Sequence, residues 1–295
     1  MEMLLHGNAL MALAAAILWG GGDFSGGMGV KHAGGTMGAA LRVILLSHSV
    51  SLAILLTLVW WRGDAFPHGA PLLWGLVAGV TAGIALACFY VALSRGAMGA
   101  SAALSGLLAA AIPAAVSVVQ EGSPGWLRLA GFLVAGGAIW LIAAGENPEA
   151  TPADPGTVWL AVAGGVGFGI YFVALKFAGT AGVIWPMATA RIGSLTVCSL
   201  LVAGIALTSK QGEPKFRLTR PVFAAAMGAV LLDTSGNLLF IAATRAGRLD
   251  VAAVLASLYP ASTILLAAWT LHEKPTRRQG LGMAVAVAAV VMITI

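Results

Sequence analysis

Phe89-Tyr90-Val91-Ala92-Leu93-Ser94-Arg95 returns about 150 residues later as Leu239-Phe240-Ile241-Ala242-Ala243-Thr244-Arg245, and nearly everything around both copies is apolar. Outward from these two segments, other features repeat at about the same interval. Arg42, early in one apolar run, is matched by Arg191, and Trp19-Gly20 by Phe168-Gly169. Each copy holds about five apolar runs long enough to cross a bilayer. Five is odd, so the second copy has to enter the membrane with the opposite orientation. Inverted internal repeats are how many secondary transporters build two access states from one fold. The repeat points to transport rather than chemistry.

Composition agrees. Hydrophobic residues make up 59% of the chain, charged residues only 9%, and the mean hydropathy is +0.94. A soluble surface needs about 25% charge, so the solvent of this chain is lipid. A spanning helix needs roughly 20 mostly apolar residues. Runs between charges and turn signals give ten, at 9–30, 36–60, 70–94, 97–119, 125–144, 156–178, 183–207, 221–244, 248–271 and 279–295. The fifth and tenth are the shortest and rest more on the repeat than on hydropathy. The expected organisation is a first five-helix repeat over 1–145, a polar, proline-rich linker over 146–155, and a second, inverted repeat over 156–295. No loop is long enough for a soluble domain.

The first run lacks a basic segment before it, and Asp23 with a glycine string follows where a signal-peptide cleavage site would lie, so it reads as a retained helix. The net charge of +5 comes from loop residues that face lipid head groups and cytoplasm. No basic stripe combines with stacking aromatics, so no nucleic-acid partner is expected. Cys88 and Cys198 both fall inside apolar runs, as small fillers, and neither metal nor cofactor is expected. Thirty-nine glycines suit helices packed backbone to backbone. The cluster Gly20-Gly21-Gly22, Gly26-Gly27 and Gly29 admits two further uses: a partly unwound segment, or close approach of backbone to a ligand.

The segment from Val254 through Tyr259-Pro260 and Glu273 to Gln279-Gly-Leu-Gly282 resembles the closing motif of the EamA family of the drug/metabolite transporter superfamily. Pro113, Glu121, Arg128 and Gly131 match it more loosely in the first copy, and Trp19-Gly20 and Leu41-Arg42 also fit. The resemblance implies an all-α membrane protein of ten helices in two inverted repeats. Helices 1, 3, 4, 6, 8 and 9 would line a central cavity, with 5 and 10 at the periphery. Relatives of this kind move amino acids, amines, nucleotide sugars and sugar phosphates, so the cargo stays open.

Asp23 and Asp233 are the leading site candidates. Each lies well inside a span, where a carboxylate costs roughly 2.5–3.5 kcal/mol on insertion scales, so it needs a partner, water or a proton. All three conditions suit a transport pathway; the alternative is an interhelical bond to Arg42 or Arg191. Neither acid has an acidic repeat mate, since Phe172 aligns with Asp23 and Gly83 with Asp233. Asn237 lies four residues after Asp233 on the same helical face, placed to orient the carboxylate, bind cargo or bridge helices. Tyr90, Tyr171 and Tyr259 fall in three expected cavity spans and, with Trp19 and Phe240, offer either an aromatic wall for a cationic group or buried packing. Arg42 and Arg191, near span ends, are expected to snorkel or to pair between helices, and His48 to be a satisfied interior histidine. Pro113 and Pro260 free backbone carbonyls and can act as hinges. Trp60, Trp61, Trp126 and Trp185 read as interface anchors.

There is no P-loop, so ATP is not expected to power the protein directly, and no nucleophilic triad or metal spacing stands out. An intramembrane enzyme remains the minor alternative, and a receptor or scaffold, or a facilitative carrier, the other rivals. The leading expectation is a secondary transporter, exporter or importer, of a small polar metabolite, amino-acid- or amine-like and proton-coupled. It would work by alternating access as a monomer or homodimer in a bacterial inner membrane. Loop lysines and arginines by themselves would place both termini outside, whereas the resemblance implies cytoplasmic termini.

Overall fold

The computed structural model describes residues 2–95, 98–143, 154–208, 216–270 and 276–294. Most of the linker, 146–153, and Glu273 of the closing motif lie outside the described residues. The helices are α1 (Glu2–His32), α2 (Met37–Arg62), α3 (Ala70–Ser94), α4 (Met98–Glu121), α5 (Trp126–Ala143), α6 (Pro155–Ala178), α7 (Ile184–Thr208), α8 (Arg220–Ala246), α9 (Leu249–Ala256), α10 (Tyr259–Thr270) and α11 (Arg277–Thr294). No strand occurs among the described residues. Nine helical stretches there are long and apolar enough to cross a membrane, with α9 and α10 together as one; Trp126–Ile142 in α5 is apolar but shorter.

Local chemistry sets the ends of these helices. Thr36 accepts the Ala39 amide at 3.1 Å and starts α2, which ends on left-handed Gly63 at φ +70°. Asp154 accepts the Thr157 amide at 3.1 Å, with Pro155 at the first helical position of α6. Before α11, Thr276 and Gln279 form a reciprocal capping box: the Thr276 amide donates to Gln279 Oε1 at 2.8 Å, and the Gln279 amide to Thr276 Oγ1 at 3.3 Å. Gln279 of the closing motif is therefore a helix starter. Gly282 of the same motif is a packing residue. A Cβ there would lie 2.9 Å from the Ile142 amide, and one on its counterpart Gly131 2.8 Å from Ile293 Cγ1. These two glycines let α5 and α11 pack closely at the periphery.

The helix pairings exchange under interchange of the halves. The α1–α8 pairing corresponds to α6–α3, and α4–α6 to the packing of α1 on α9 and α10, while α2–α7 and α5–α11 map onto themselves. That is the arrangement two inverted five-helix repeats require.

Two sequence expectations change in detail. The ninth run is not one helix, because α9 stops at Ala256 and α10 begins at Tyr259. Pro260 has no N–H for the carbonyl four residues back, and its ring crowds that carbonyl, which belongs to Ala256. Pro113, by contrast, sits inside a continuous α4. The glycine string of α1 is not unwound either. A Cβ on Gly20 would lie 2.7 Å from the Tyr259 carbonyl oxygen, and one on Gly22 3.2 Å from the Asp233 amide. The string seats α1 against α10 and α8.

Candidate functional site

That close α1–α8 approach brings Asp23 and Asp233 to one cavity at the middle of the bundle. It has about 400 Å³ of empty space, open mouth included. Its lining comes from Trp19 and Asp23 of α1, Ala82 and Leu86 of α3, Phe168, Tyr171 and Phe172 of α6, Arg191 of α7, Asp233 and Asn237 of α8, and Tyr259 of α10. Five of the expected helical spans therefore contribute. The fourth contributes no lining residue among those described, and the seventh, not expected, supplies Arg191.

Arg191 does not snorkel. It is 2% exposed and points inward, where its Nη2 pairs with Asp233 Oδ2. Its other donors are held by neutral partners: Nε donates to Ser51 Oγ at 2.9 Å, Nη1 meets His48 Nε2 at 2.7 Å, and Nη2 also reaches Thr234 Oγ1 at 3.4 Å. A guanidinium has donors only, so His48 Nε2 accepts. Its Nδ1–H then donates to Ser194 Oγ at 2.6 Å, and Ser194 passes its own proton to the Arg191 carbonyl at 3.1 Å. Ser51 Oγ and Thr234 Oγ1 are joined by a further hydrogen bond at 2.7 Å. His48 is a neutral positioning residue with both ring nitrogens satisfied.

The second carboxylate oxygen of Asp233 is held from its own helix. Asn237 Nδ2 donates to Asp233 Oδ1 at 2.9 Å and to the Asp233 carbonyl at 2.7 Å, and Tyr171 donates to Asn237 Oδ1 at 2.7 Å. Asp23 differs. Among the described residues no hydrogen bond or ion pair reaches it, and its charged neighbour is the like-charged Asp233.

The walls are aromatic. Trp19 and Phe172 stack with centroids 5.0 Å apart and planes 4° apart, with Phe240 behind them at 5.3 Å from Trp19 and 4.7 Å from Phe172. Phe168, the repeat mate of Trp19, lines the opposite half. Tyr259 donates to the Ala102 carbonyl at 3.2 Å and so ties α10 to α4. Of the expected site residues, Trp19, Asp23, Tyr171, Asp233, Asn237 and Tyr259 converge here. Tyr90 does not line the cavity: it is buried, its ring filling the space a Cβ on Gly26 would need. Phe240 is buried behind the lining, and Arg42 is half-buried outside it. Phe168 and Phe172 were not singled out from sequence, although their alignment with Trp19 and Asp23 was the available signal.

A second polar cluster closes the end of the bundle that carries the chain termini. Glu121 at the end of α4 lies 3.3 Å from Lys176 and 3.9 Å from Arg248, and Arg248 binds the fully buried Asp250 at 2.8 Å. Arg248 also donates to the Glu121 and Gly122 carbonyls at 3.1 and 2.8 Å. The cysteines stay apart in separate helices, and no group of three metal-ligating side chains occurs among the described residues.

Fold and site together define a polytopic membrane protein with a charged, aromatic-walled cavity at mid-height of its helix bundle. Residues 156–295 match the model of the EamA-like transporter family, a family of the drug/metabolite transporter superfamily. Members of the family are transporters. Eighteen chains of solved structures also match. One of them, a crystal structure of a protein 17% identical in sequence, covers 97% of this chain and 95% of its own length with a TM-score of 0.72. At that identity the likeness shows the fold alone. No curated protein matches the chain.

Proposed function

We propose that the protein is a secondary transporter of a small amine- or amino-acid-like metabolite, working by alternating access and coupled to protons. The observation that carries this reading is Asp23: a carboxylate without a bonding partner among the described residues, lining a cavity walled by Trp19, Phe168, Phe172, Tyr171 and Tyr259. A carboxylate in such a place favours a cation, and aromatic faces add attraction for an ammonium group. Asp233, paired with Arg191, is the less available acid. The two inverted repeats provide the symmetry for two access states. We place the protein in a bacterial inner membrane with both termini cytoplasmic.

The test is uptake into liposomes by the purified protein, with cargo first found by a thermal-shift screen of amino acids, amines and sugars. An imposed pH gradient should drive accumulation of an ammonium-bearing hit, and Asp23→Asn should abolish its binding while leaving the unfolding temperature close to that of the parent. Normal transport by Asp23→Asn, or a preference for sugars or purely anionic compounds, would overturn the assignment.

A further inference from the structure

The three ionic groups lining the cavity do not cancel. With both acids ionised, Arg191 matches Asp233 and the Asp23 charge is left over. An unmatched charge away from water is costly, so a proton on Asp23 or the cargo has to complete the balance. A primary ammonium on Asp23 does so by itself. A zwitterion brings a carboxylate as well, and Arg191 is the one cation among the lining residues. Its anionic partner is already Asp233.

The way each group is held permits an exchange. Arg191 keeps Ser51, His48 and Thr234 when its ion partner changes, so the guanidinium stays in place. Asp233 keeps Asn237, itself fixed by Tyr171, so a protonated Asp233 also has a seat. The titratable and charged groups around Asp233 are Asp23 of α1, His48 of α2 through Arg191, Tyr90 of α3, Tyr171 of α6 and Arg191 of α7. Only Arg191 forms an ion pair with it.

We propose that Arg191 and Asp233 are an exchangeable pair that makes this a proton-coupled site for zwitterionic α-amino acids. The inference rests on the reading of Asp23 as the cation anchor. The cargo carboxylate takes over Arg191 Nη2 while Asp233 Oδ2 takes one proton from water on the loading side, and the ammonium sits on Asp23. The loaded site then holds two matched ion pairs and a neutral Asp233. When the cargo leaves on the other side, Asp233 releases its proton to that water and recovers Arg191. An amine without a carboxylate leaves the Arg191–Asp233 pair closed and puts no proton on Asp233, so the same cavity treats the two cargo types differently.

L-Phenylalanine and phenethylamine differ by the carboxylate alone. Isothermal titration of the purified protein in buffers of different ionisation enthalpy counts the protons taken up with each. Phenylalanine is expected to take up about one proton more than phenethylamine, and its affinity relative to phenethylamine to fall roughly tenfold per pH unit as pH rises. Asp233→Asn, a neutral stand-in for the protonated acid, should bind phenylalanine and remove that difference of one proton. The double variant Arg191→Gln with Asp233→Asn, which removes both charges together, should lose phenylalanine and keep phenethylamine. Equal proton counts for the two compounds in the parent, or phenylalanine binding retained by the double variant, overturns the exchange. Binding of phenethylamine alone overturns it too but leaves the Asp23 anchor standing, and failure of both compounds to bind sinks both readings.

Discussion

Gly79 on α3 is the tightest point of the seam that positions Arg191, and enlarging it tests the packing directly. A Cβ on Gly79 would overlap the Ala190 carbonyl oxygen and lie 2.7 Å from its carbonyl carbon and 2.8 Å from the Ser194 amide nitrogen. Carbon atoms in contact prefer about 3.5–4.0 Å, so clearing the carbonyl carbon alone would part α3 and α7 by about 0.8 Å, and the overlapping oxygen requires more. The obstacles are backbone atoms, which no rotamer change removes. Overpacking of this kind costs about 1–3 kcal/mol, against a gain of about 0.5–1 kcal/mol from placing alanine in a helix. Gly204, on the same α7 with nothing within 4 Å of its Cβ, supplies the gain without the clash. Thermal unfolding in detergent should therefore rank Gly204→Ala at or above the parent and Gly79→Ala below it, separated by about 2–4 °C per kcal/mol. Ala190 precedes Arg191, so Gly79→Ala should also weaken cargo binding. Equal midpoints for the two variants would refute the backbone contact between α3 and α7.

Two further outcomes follow from polar groups near the membrane surfaces. Arg248→Ala leaves the fully buried Asp250 carboxylate without its cation and should destabilise by about 3–5 kcal/mol, whereas Arg62→Ala, which breaks an exposed pair, should stay within about 1 kcal/mol; similar unfolding midpoints would disprove the difference. The Thr157 hydroxyl and amide hold the Asp154 carboxyl below the ordinary carboxylate range, with a smaller contribution from Arg95. A depressed folded value means that the cap supports α6 above the unfolded carboxyl's titration and is lost only as pH falls through the lowered value. An NMR titration should show this value, and Thr157→Val should move it back up; no movement would show that the hydroxyl is not the cause.

Much of the fold was legible because a membrane span is a local property. The limits of α3 coincide with the run 70–94, and other helices begin or end within a few residues of their runs. The runs α1 and α9–α10 show where locality fails. The first extends further toward the N-terminus than its run, and Pro260 divides the other through a clash one turn back. Motif residues were legible as important but not in what they do: Gln279 starts a helix, and Gly131 and Gly282 pack two peripheral helices. The site was legible in part. A carboxylate inside a span signals itself by its cost, so Asp23 and Asp233 stood out at once.

The solvent, the spans and the inversion follow from hydrophobic length, charge depletion and an odd repeat, which act through composition and order alone. The sequence could not say which way a side chain faces within a helix that is apolar on every side. Arg191 lies seven residues into α7, where snorkelling and inward pairing are both within reach, and His48 and Ser51, which draw it inward, stand 143 and 140 residues away. That Asp233 is matched and Asp23 is not comes from packing in three dimensions, because the rotations of α1, α7 and α8 about their axes are set by glycine-packed neighbours from the other half of the chain.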